Sequence, residues 1–138
     1  MLIAPALPGV NYLDAAAGLA AISSGGVLAV SGAYYLGDNL TPWVKPVDAS
    51  ELQRDGAYTL CRHPIYGGLV LACFGLGLLS GSVERLLVSF ALYAVLSLKA
   101  DEEEAMLSEK HSEYAAWAAT VPKLFPEPKA LIARVRGE

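Results

Sequence analysis

Two long stretches without a charged residue limit what this chain can fold into. The first, residues 15–36, has 22 residues and spans about 33 Å as a helix, enough to cross the hydrocarbon core of a bilayer. The second, residues 64–83, has 20 residues and begins with Pro64, which suits the first turn of a helix. Both contain several glycines, which weaken a soluble helix but allow membrane helices to pack closely. The two stretches therefore predict two membrane-spanning helices.

A third apolar segment, residues 86–98, has only 13 residues and about 20 Å of helix, too little to cross a bilayer by itself. Residues 81–82, Gly-Ser, predict a tight turn that pairs this segment with the second stretch. Good helix formers fill residues 100–110, so we expect the third helix to continue beyond the membrane. The sequence thus predicts an all-α membrane protein with about three transmembrane helices, the last continuing into a cytoplasmic helix and tail. We expect these and the central loop to form one domain, residues 1–138.

Composition supports a membrane protein and excludes some functions. Hydrophobic residues make up 54% of the chain and charged residues 17%, whereas a soluble domain averages about 45–50% and about 25%. The net charge of -4 and the lack of a basic cluster give no sign of a nucleic-acid partner. Two cysteines, Cys61 and Cys73, are too few for a disulfide framework or a zinc site, so we expect two reduced thiols and no metal.

The basic residues predict an orientation. Arg85 precedes the third segment, and every other basic residue lies in the central loop, residues 37–63, or after the third segment. The positive-inside rule then places the central loop and the C-terminal tail on the cytoplasmic side, or its stromal equivalent, and the N-terminus on the opposite side. Residues 1–14 lack the basic start of a signal peptide. The last dozen residues are expected to be an ordered turn running into a basic tail.

Three motifs are expected to meet at the cytoplasmic ends of these helices: residues 62–68 (Arg-His-Pro-Ile-Tyr-Gly-Gly), 101–104 (Asp-Glu-Glu-Glu) and 121–126 (Val-Pro-Lys-Leu-Phe-Pro). Charge is costly at a membrane, so charged residues placed there often serve a function. Arg62 can hold a carboxylate through two parallel hydrogen bonds, and His63 can donate to the same group. The alternative for Arg62 is a side chain that reaches lipid phosphates at the membrane surface.

The three successive glutamates cannot share one helix face, because each residue rotates by about 100°. We expect Glu102 and Glu103 to face the bundle and Glu104 to face water. An inward carboxylate suits an ammonium group or ribose hydroxyls. The alternative is a solvated acidic turn in which Lys99 pairs with a glutamate three or four residues later.

In order and spacing, these motifs resemble the integral-membrane methyltransferases that act on isoprenylated cysteine and on phospholipid headgroups. The resemblance rests on residues 62–68, on a Glu-Glu pair whose first member, Glu102, stands 12 residues before Tyr114, and on residues 121–126. It implies S-adenosylmethionine as the cofactor, and we expect the cytoplasmic helix and tail to form the cofactor site with the central loop. It also implies a lipophilic substrate that enters from the bilayer: an isoprenylcysteine carboxylate, a lipid headgroup or a small hydrophobic molecule. The site residues it implies are Arg62, His63 and Glu103 for catalysis and His63, Tyr66, Glu102, Glu103 and Tyr114 for cofactor binding.

Two departures from the family pattern are Trp117, where a tyrosine is usual, and His111, where an aromatic residue is common. Tyr114 and Trp117 fit a membrane-interface anchor as well as a pocket wall. Membrane sterol reductases, which use NADPH, also carry an Arg-His-Pro-x-Tyr motif, but the run of glutamates favours the methyltransferase. A non-catalytic small membrane assembly partner is the third interpretation. It leaves the charged motifs on one side of the membrane unexplained.

Overall fold

The protein is helical over the part of the chain that the structure, a computed structural model, describes: residues 10–37 and 52–137. No strand occurs within these two ranges. The elements are helices α1 (Tyr12–Leu36), α2 (Pro64–Ser80), α3 (Val83–Lys110), α4 (Tyr114–Ala118) and α5 (Pro128–Arg136), with a 3-10 turn over Gly56–Thr59. The expected central loop falls partly outside the described residues, since 38–51 are not among them.

The ends of the first three helices follow local signals in the sequence. Asn11 caps α1 by accepting a hydrogen bond from the backbone N–H of Asp14 at 2.8 Å. At the end of α2, Gly81 takes a left-handed conformation with φ of 61°, which glycine adopts without steric cost. Ser82 then caps α3, so the third helix begins at Val83 and runs without interruption to Lys110. Its continuation beyond the apolar segment is as the sequence predicts.

Helix α1 is the clear candidate for a membrane span among the described helices. It has 25 residues, and an 18-residue window within it has a mean hydropathy of 1.6. Helix α2 is apolar but has 17 residues, or about 25 Å, which is at the lower limit for a span. Helix α3 has 28 residues and becomes strongly charged in its second half. The structure therefore supports one span by length and composition, and the three-span topology stays a prediction.

Helices α1 and α2 pack antiparallel along a line of glycines. Gly18 lies against Gly75, and Gly25 lies against Gly68, seven residues later on α1 and seven residues earlier on α2. A Cβ atom placed at Gly25 would come within 2.8 Å of the backbone nitrogen of Ala72, closer than real Cβ contacts. The absence of side chains on this line lets the two backbones approach, as in many membrane helix pairs.

Helix α3 packs on α2 through residues spaced three or four apart, which form one face of the helix. A Cβ atom at Gly77 would lie 2.6 Å from Leu86, which shows how closely the α2–α3 hairpin packs near its turn. Ser89 and Ala100 are buried, with Ala100 fully inaccessible. The same face continues along the helix through Glu103, Glu104 and Leu107, which are half-buried.

The outer surfaces of α1 and α3 expose large apolar side chains. On α1 these include Leu19, Val27 and Val30, and on α3 they include Leu87, Val88, Phe90, Val95 and Leu98. Soluble proteins rarely expose so much contiguous apolar surface, whereas lipid-facing helices do. This surface agrees with membrane association.

Candidate functional site

The start of α2 is fixed in place by the segment that follows α4. The backbone N–H of Arg62 donates to the carbonyl of Pro122 at 2.8 Å, and the backbone N–H of His63 donates to that of Lys123 at 2.9 Å. These bonds satisfy the backbone donors of the N-cap residue of α2 and of the residue before it, neither of which has an intrahelical acceptor. Both side chains are thereby aimed toward α3.

Glu104 receives the side chains of Arg62 and His63. Nε2 of His63 lies 2.9 Å from Oε1 of Glu104, and the ring donates because a carboxylate only accepts. Nη1 of Arg62 lies 3.1 Å from the same oxygen. Burial alone would raise the pKa of Glu104, but the hydrogen bond from His63 and the charges of His63, Arg62 and Lys123 outweigh it. The pKa of Glu104 therefore lies below its ordinary value, and the group is ionised at neutral pH.

Glu103 has partners of its own. Nζ of Lys99, one helical turn earlier, lies 2.9 Å from Oε1 of Glu103. The Tyr66 hydroxyl donates to the same oxygen and accepts a hydrogen bond from Lys99. The Tyr66 ring stacks parallel on the ring of His63, with 5.6 Å between centroids. Nδ1 of His63 lies 3.8 Å from Oε2 of Glu103, so the imidazole stands between the two carboxylates.

These contacts join six residues, which we call the polar cluster: Arg62, His63, Tyr66, Lys99, Glu103 and Glu104. The side chain of His63 is 7% exposed, and those of Glu103 and Glu104 are each 18% exposed. Buried charges of this kind are costly unless they are paired, and here each carboxylate has at least two partners.

Three buried residues surround the polar cluster. Burial, together with the nearby charge of Glu103, raises the pKa of the Tyr58 hydroxyl. Burial also raises the pKa of the Tyr114 hydroxyl, and the charge of Glu104 adds to that effect. Burial raises the pKa of the Cys61 thiol to about 12. All three groups are therefore neutral at physiological pH and form a low-polarity wall around the ionised groups.

Two polar atoms at the cluster are buried without a well-formed hydrogen bond to any described residue: Nε of Arg62, within the cluster, and the hydroxyl of Tyr114, which lies close to Glu104 and Arg62. A buried donor without a partner is costly and marks a place where a ligand or water can bind. Trp117 packs edge-on against Tyr114, with 5.6 Å between ring centroids.

The segment from Val121 to Phe125 is also held to α2 and α3. Nζ of Lys123 pairs with Asp101 at 2.5 Å and donates to the carbonyl of Ser97 at 3.2 Å. Gly67 lies directly under the carbonyl of Leu124, where a Cβ atom would overlap the oxygen. Gly68, the next residue, lies against Gly25 of α1. Each glycine thus permits a different close approach.

The structure brings together most of the residues that the sequence singles out. Arg62, His63, Tyr66 and Glu103 are in direct contact or separated by one side chain, and Tyr114 lies beside them. The expected register of the acidic helix requires correction. Glu102, which was expected to face the bundle, is exposed and lies outside the cluster. Glu104, which was expected to face water, takes the inward position instead.

The reason for this difference is the face that α3 turns to α2. Ala100 is fully buried, and residues three and four positions later share its face, which selects Glu103 and Glu104. The signal was present in the sequence as Ala100 and Leu107 at helical spacing around the acids. Lys99, which the sequence indicates only as a partner in a solvated turn, is part of the cluster through Tyr66 and Glu103.

Within residues 10–37 and 52–137, no three His, Cys, Asp or Glu side chains are grouped so that they could hold a metal ion.

Comparison with known proteins gives the family. The model of the phospholipid methyltransferase family matches residues 13–113, which include all but the first residue of α1, the whole of α2 and α3, and all six residues of the polar cluster. The chain belongs to the phospholipid methyltransferase family. Membership confirms the resemblance that the sequence motifs predict, and the apolar helix α1 agrees with a membrane protein of this family.

Two relatives carry names that refer to metal resistance. Over 90 residues the chain is 32% identical to the cobalt-zinc-cadmium resistance protein CzcN of Cupriavidus metallidurans, covering 63% of this chain and 39% of that protein. Over 81 residues it is 31% identical to the nickel-cobalt-cadmium resistance protein NccN of Alcaligenes xylosoxydans xylosoxydans, covering 56% of this chain and 37% of that protein. The chain thus spans less than two fifths of the length of the curated relatives it matches.

Proposed function

We propose that this chain transfers a methyl group from S-adenosylmethionine to a lipophilic acceptor at the membrane interface. The observation that carries the proposal is the contact of Arg62 and His63 with Glu103 and Glu104 at the start of α2. In a methyltransferase family, paired cationic and anionic side chains beside apolar helices suit a zwitterionic cofactor and an acceptor held in lipid. The proposal takes residues 1–138 as one domain with this face on the cytoplasmic side.

The chemistry of the cluster fits the cofactor. The methionine part of S-adenosylmethionine carries an ammonium group and a carboxylate, and the ribose carries two hydroxyls. Glu103 and Glu104 suit the ammonium or the hydroxyls, and the guanidinium of Arg62 suits the carboxylate. Nε of Arg62 is a buried donor with no hydrogen-bond acceptor of good geometry among the described residues, so it is available to such a ligand. The hydroxyl of Tyr114 lies close to Glu104 and Arg62 and lines the same place.

The residues of the polar cluster hold each other in position before a ligand binds. Arg62 and His63 fix one carboxylate, and Lys99 and Tyr66 fix the other. When bound, the cofactor supplies a methyl group on a positively charged sulfur. Since such a transfer needs alignment more than proton movement, fixed binding groups are the main contribution that the protein makes.

The acceptor decides whether a base is needed. A carboxylate or thiolate acceptor needs none from the protein. An amine must be deprotonated, and His63 in its neutral form, with the proton on Nε2 donated to Glu104, is then the candidate to accept the proton at Nδ1. The exposed apolar surfaces of α1 and α3 would let an acceptor anchored in the bilayer by its hydrocarbon chain bring its head to this depth.

The proposal is tested by methyl transfer in membranes. Membranes containing wild type, Arg62→Ala or Glu109→Gln would be incubated with S-adenosylmethionine tritiated on the methyl group and then extracted with organic solvent. Glu109 is an exposed glutamate of α3 outside the cluster and serves as the matched control. We expect organic-soluble label with wild type and Glu109→Gln but not with Arg62→Ala. Folded wild type that transfers no label, and is stabilised against heat by NADPH but not by S-adenosylhomocysteine, would favour the reductase interpretation.

The names of the two relatives favour a second candidate, a role in resistance to metal ions, which we take together with the interpretation of the chain as a non-catalytic assembly partner. This role predicts that a host's growth on cobalt or cadmium salts is supported equally by wild type and by Arg62→Ala, since no catalytic side chain is needed. Protection that wild type gives and Arg62→Ala loses, with both proteins present at equal levels in the membrane, would contradict it.

A further inference from the structure

Helix α5 is a short cationic helix at the end of the chain. Pro128–Arg136 forms nine helical residues where the sequence is expected to be a basic tail, and none of the nine is buried. It contains three basic residues, Lys129, Arg134 and Arg136, and no acidic one. Pro128 at its first turn and Gly137 at its end, with φ of 74°, are typical helix boundaries.

The helix has an apolar face that contacts no other part of the described chain closely enough to be buried. Because successive residues rotate by about 100°, Leu131, Ile132 and Val135 lie on one face. Their exposed fractions are 41%, 52% and 89%. The three basic residues lie to the sides of this face, Lys129 and Arg136 on one side and Arg134 on the other. An apolar face flanked by basic side chains is typical of helices that lie in the plane of a membrane surface.

We propose that α5 lies along the membrane surface, with its apolar face at the boundary of headgroups and acyl chains and its basic side chains on anionic headgroups. The proposal rests on the membrane association of the family and is independent of the cofactor. Charge favours an anionic lipid surface, since three positive side chains flank the apolar face and none is neutralised within the helix. The position of α5 favours the same partner. The segment before α5 packs on the N-terminal end of the apolar helix α2.

Such an anchor would act on the polar cluster. Only residues 126–127 separate α5 from the Val121–Phe125 segment, whose carbonyls accept the backbone N–H groups of Arg62 and His63. Binding of α5 to lipid would restrict that segment and thereby hold both side chains toward α3. The class of ligand is a bilayer that contains anionic phospholipid, and phosphate in free solution lacks the apolar part that Leu131, Ile132 and Val135 require.

The test places an environment-sensitive fluorophore on opposite sides of α5. In full-length protein with Cys61 and Cys73 replaced by alanine and folding verified, nitrobenzoxadiazole would be attached to Val135→Cys on the apolar face or to Ala130→Cys on the other side. Each protein would be placed in nanodiscs of phosphatidylcholine, with or without phosphatidylglycerol. Quenching by iodide in water and by nitroxide-labelled lipid would then locate each probe. A variant with Lys129→Gln, Arg134→Gln and Arg136→Gln removes the positive charge.

With phosphatidylglycerol present, we expect the probe at 135 to be quenched by nitroxide lipid and protected from iodide, at a depth of about 5–10 Å into the boundary between headgroups and acyl chains. The probe at 130 should show the reverse. Protection at 135 should weaken without phosphatidylglycerol and in the triple variant. Equal iodide quenching at both positions would overturn the proposal, as would protection at 135 without quenching by nitroxide lipid, which indicates a protein contact. If the probe at 135 inserts equally well without phosphatidylglycerol and in the triple variant, the assigned role of charge is overturned.

Discussion

His63 and Glu104 join the start of α2 to the charged C-terminal part of α3, with Nε2 of His63 2.9 Å from Oε1 of Glu104. The two residues are 41 positions apart in the chain, and Arg62 binds the same oxygen. One carboxylate oxygen therefore receives two side chains from the motif at residues 62–68. Removing its charge would leave two buried or half-buried donors without their ionic partner, which is more costly than losing an exposed ion pair.

The first prediction concerns acid. The pKa of Glu104 in the folded protein is lower than its ordinary value of 4.5, so Glu104 contributes stability above pH 4.5. That contribution is lost as the pH falls through the lower folded pKa, because the folded state must then take up a proton that it disfavours. We expect wild type to melt at a higher temperature than Glu104→Gln at neutral pH, and the difference to shrink below pH 4.5. Circular dichroism of detergent-solubilised protein measures both; a difference that stays constant with pH would contradict this role.

The second prediction concerns the line of glycines between α1 and α2. A methyl group at Gly25 would overlap the backbone near Ala72, whereas Gly26 has no atom within 4 Å of the equivalent position. Gly25→Ala should lower the free energy of unfolding by about 1–3 kcal/mol, the usual cost of overpacking. Gly26→Ala should leave it unchanged or raise it by up to about 1 kcal/mol through helix propensity. Unfolding in increasing sodium dodecyl sulfate measures both, and equal effects would argue against this packing.

The third prediction concerns Gly67 and the segment above it. Alanine at Gly67 would overlap the carbonyl of Leu124 and should displace Val121–Phe125, so that the backbone N–H groups of Arg62 and His63 lose their acceptors. Hydrogen exchange followed by mass spectrometry should show faster exchange at these two amides in Gly67→Ala than in wild type. Gly26→Ala serves as a control for the same chemical change elsewhere. Unchanged exchange in Gly67→Ala would mean that the segment tolerates the methyl group.

The fourth prediction concerns the thiol of Cys61. Cys61 is fully buried, and burial raises the pKa of its thiol to about 12, so almost no reactive thiolate forms at neutral pH. In a Cys73→Ala variant, N-ethylmaleimide should modify Cys61 only after denaturation in sodium dodecyl sulfate. Intact-mass measurement gives the modified fraction. Rapid modification of the native protein would show that residues 57–61 open readily.

The sequence predicts the elements of the fold well because their signals are local. Uncharged length indicates α1, Pro64 marks the start of α2, and the helix formers after residue 98 predict the long α3. What local signals do not determine is the rotation of α3 about its axis. That rotation depends on Ala100 packing against the rest of the bundle, and it selects Glu104 in place of Glu102 as the second inward carboxylate.

The contacts of the polar cluster were predictable in kind but not in detail. Motif spacing singles out Arg62, His63, Tyr66 and Glu103, but the participation of Lys99 depends on the approach of two helices.

Helix α5 is a different case. The apolar and basic residues of α5 stand at helical spacing in the sequence. A nine-residue segment between a proline and a glycine is too short for that spacing to distinguish a helix from an irregular tail.

The central claim, that Glu104 and its partners bind the cofactor, is tested most directly by calorimetric titration with S-adenosylhomocysteine. Wild type, Glu104→Gln and Glu102→Gln would be compared in the same detergent. We expect saturable binding to wild type and to Glu102→Gln, and at least about tenfold weaker binding to Glu104→Gln, as for loss of a hydrogen bond to a charged group worth about 1.5–3 kcal/mol. No binding to folded wild type, or equal binding to all three proteins, would contradict the account.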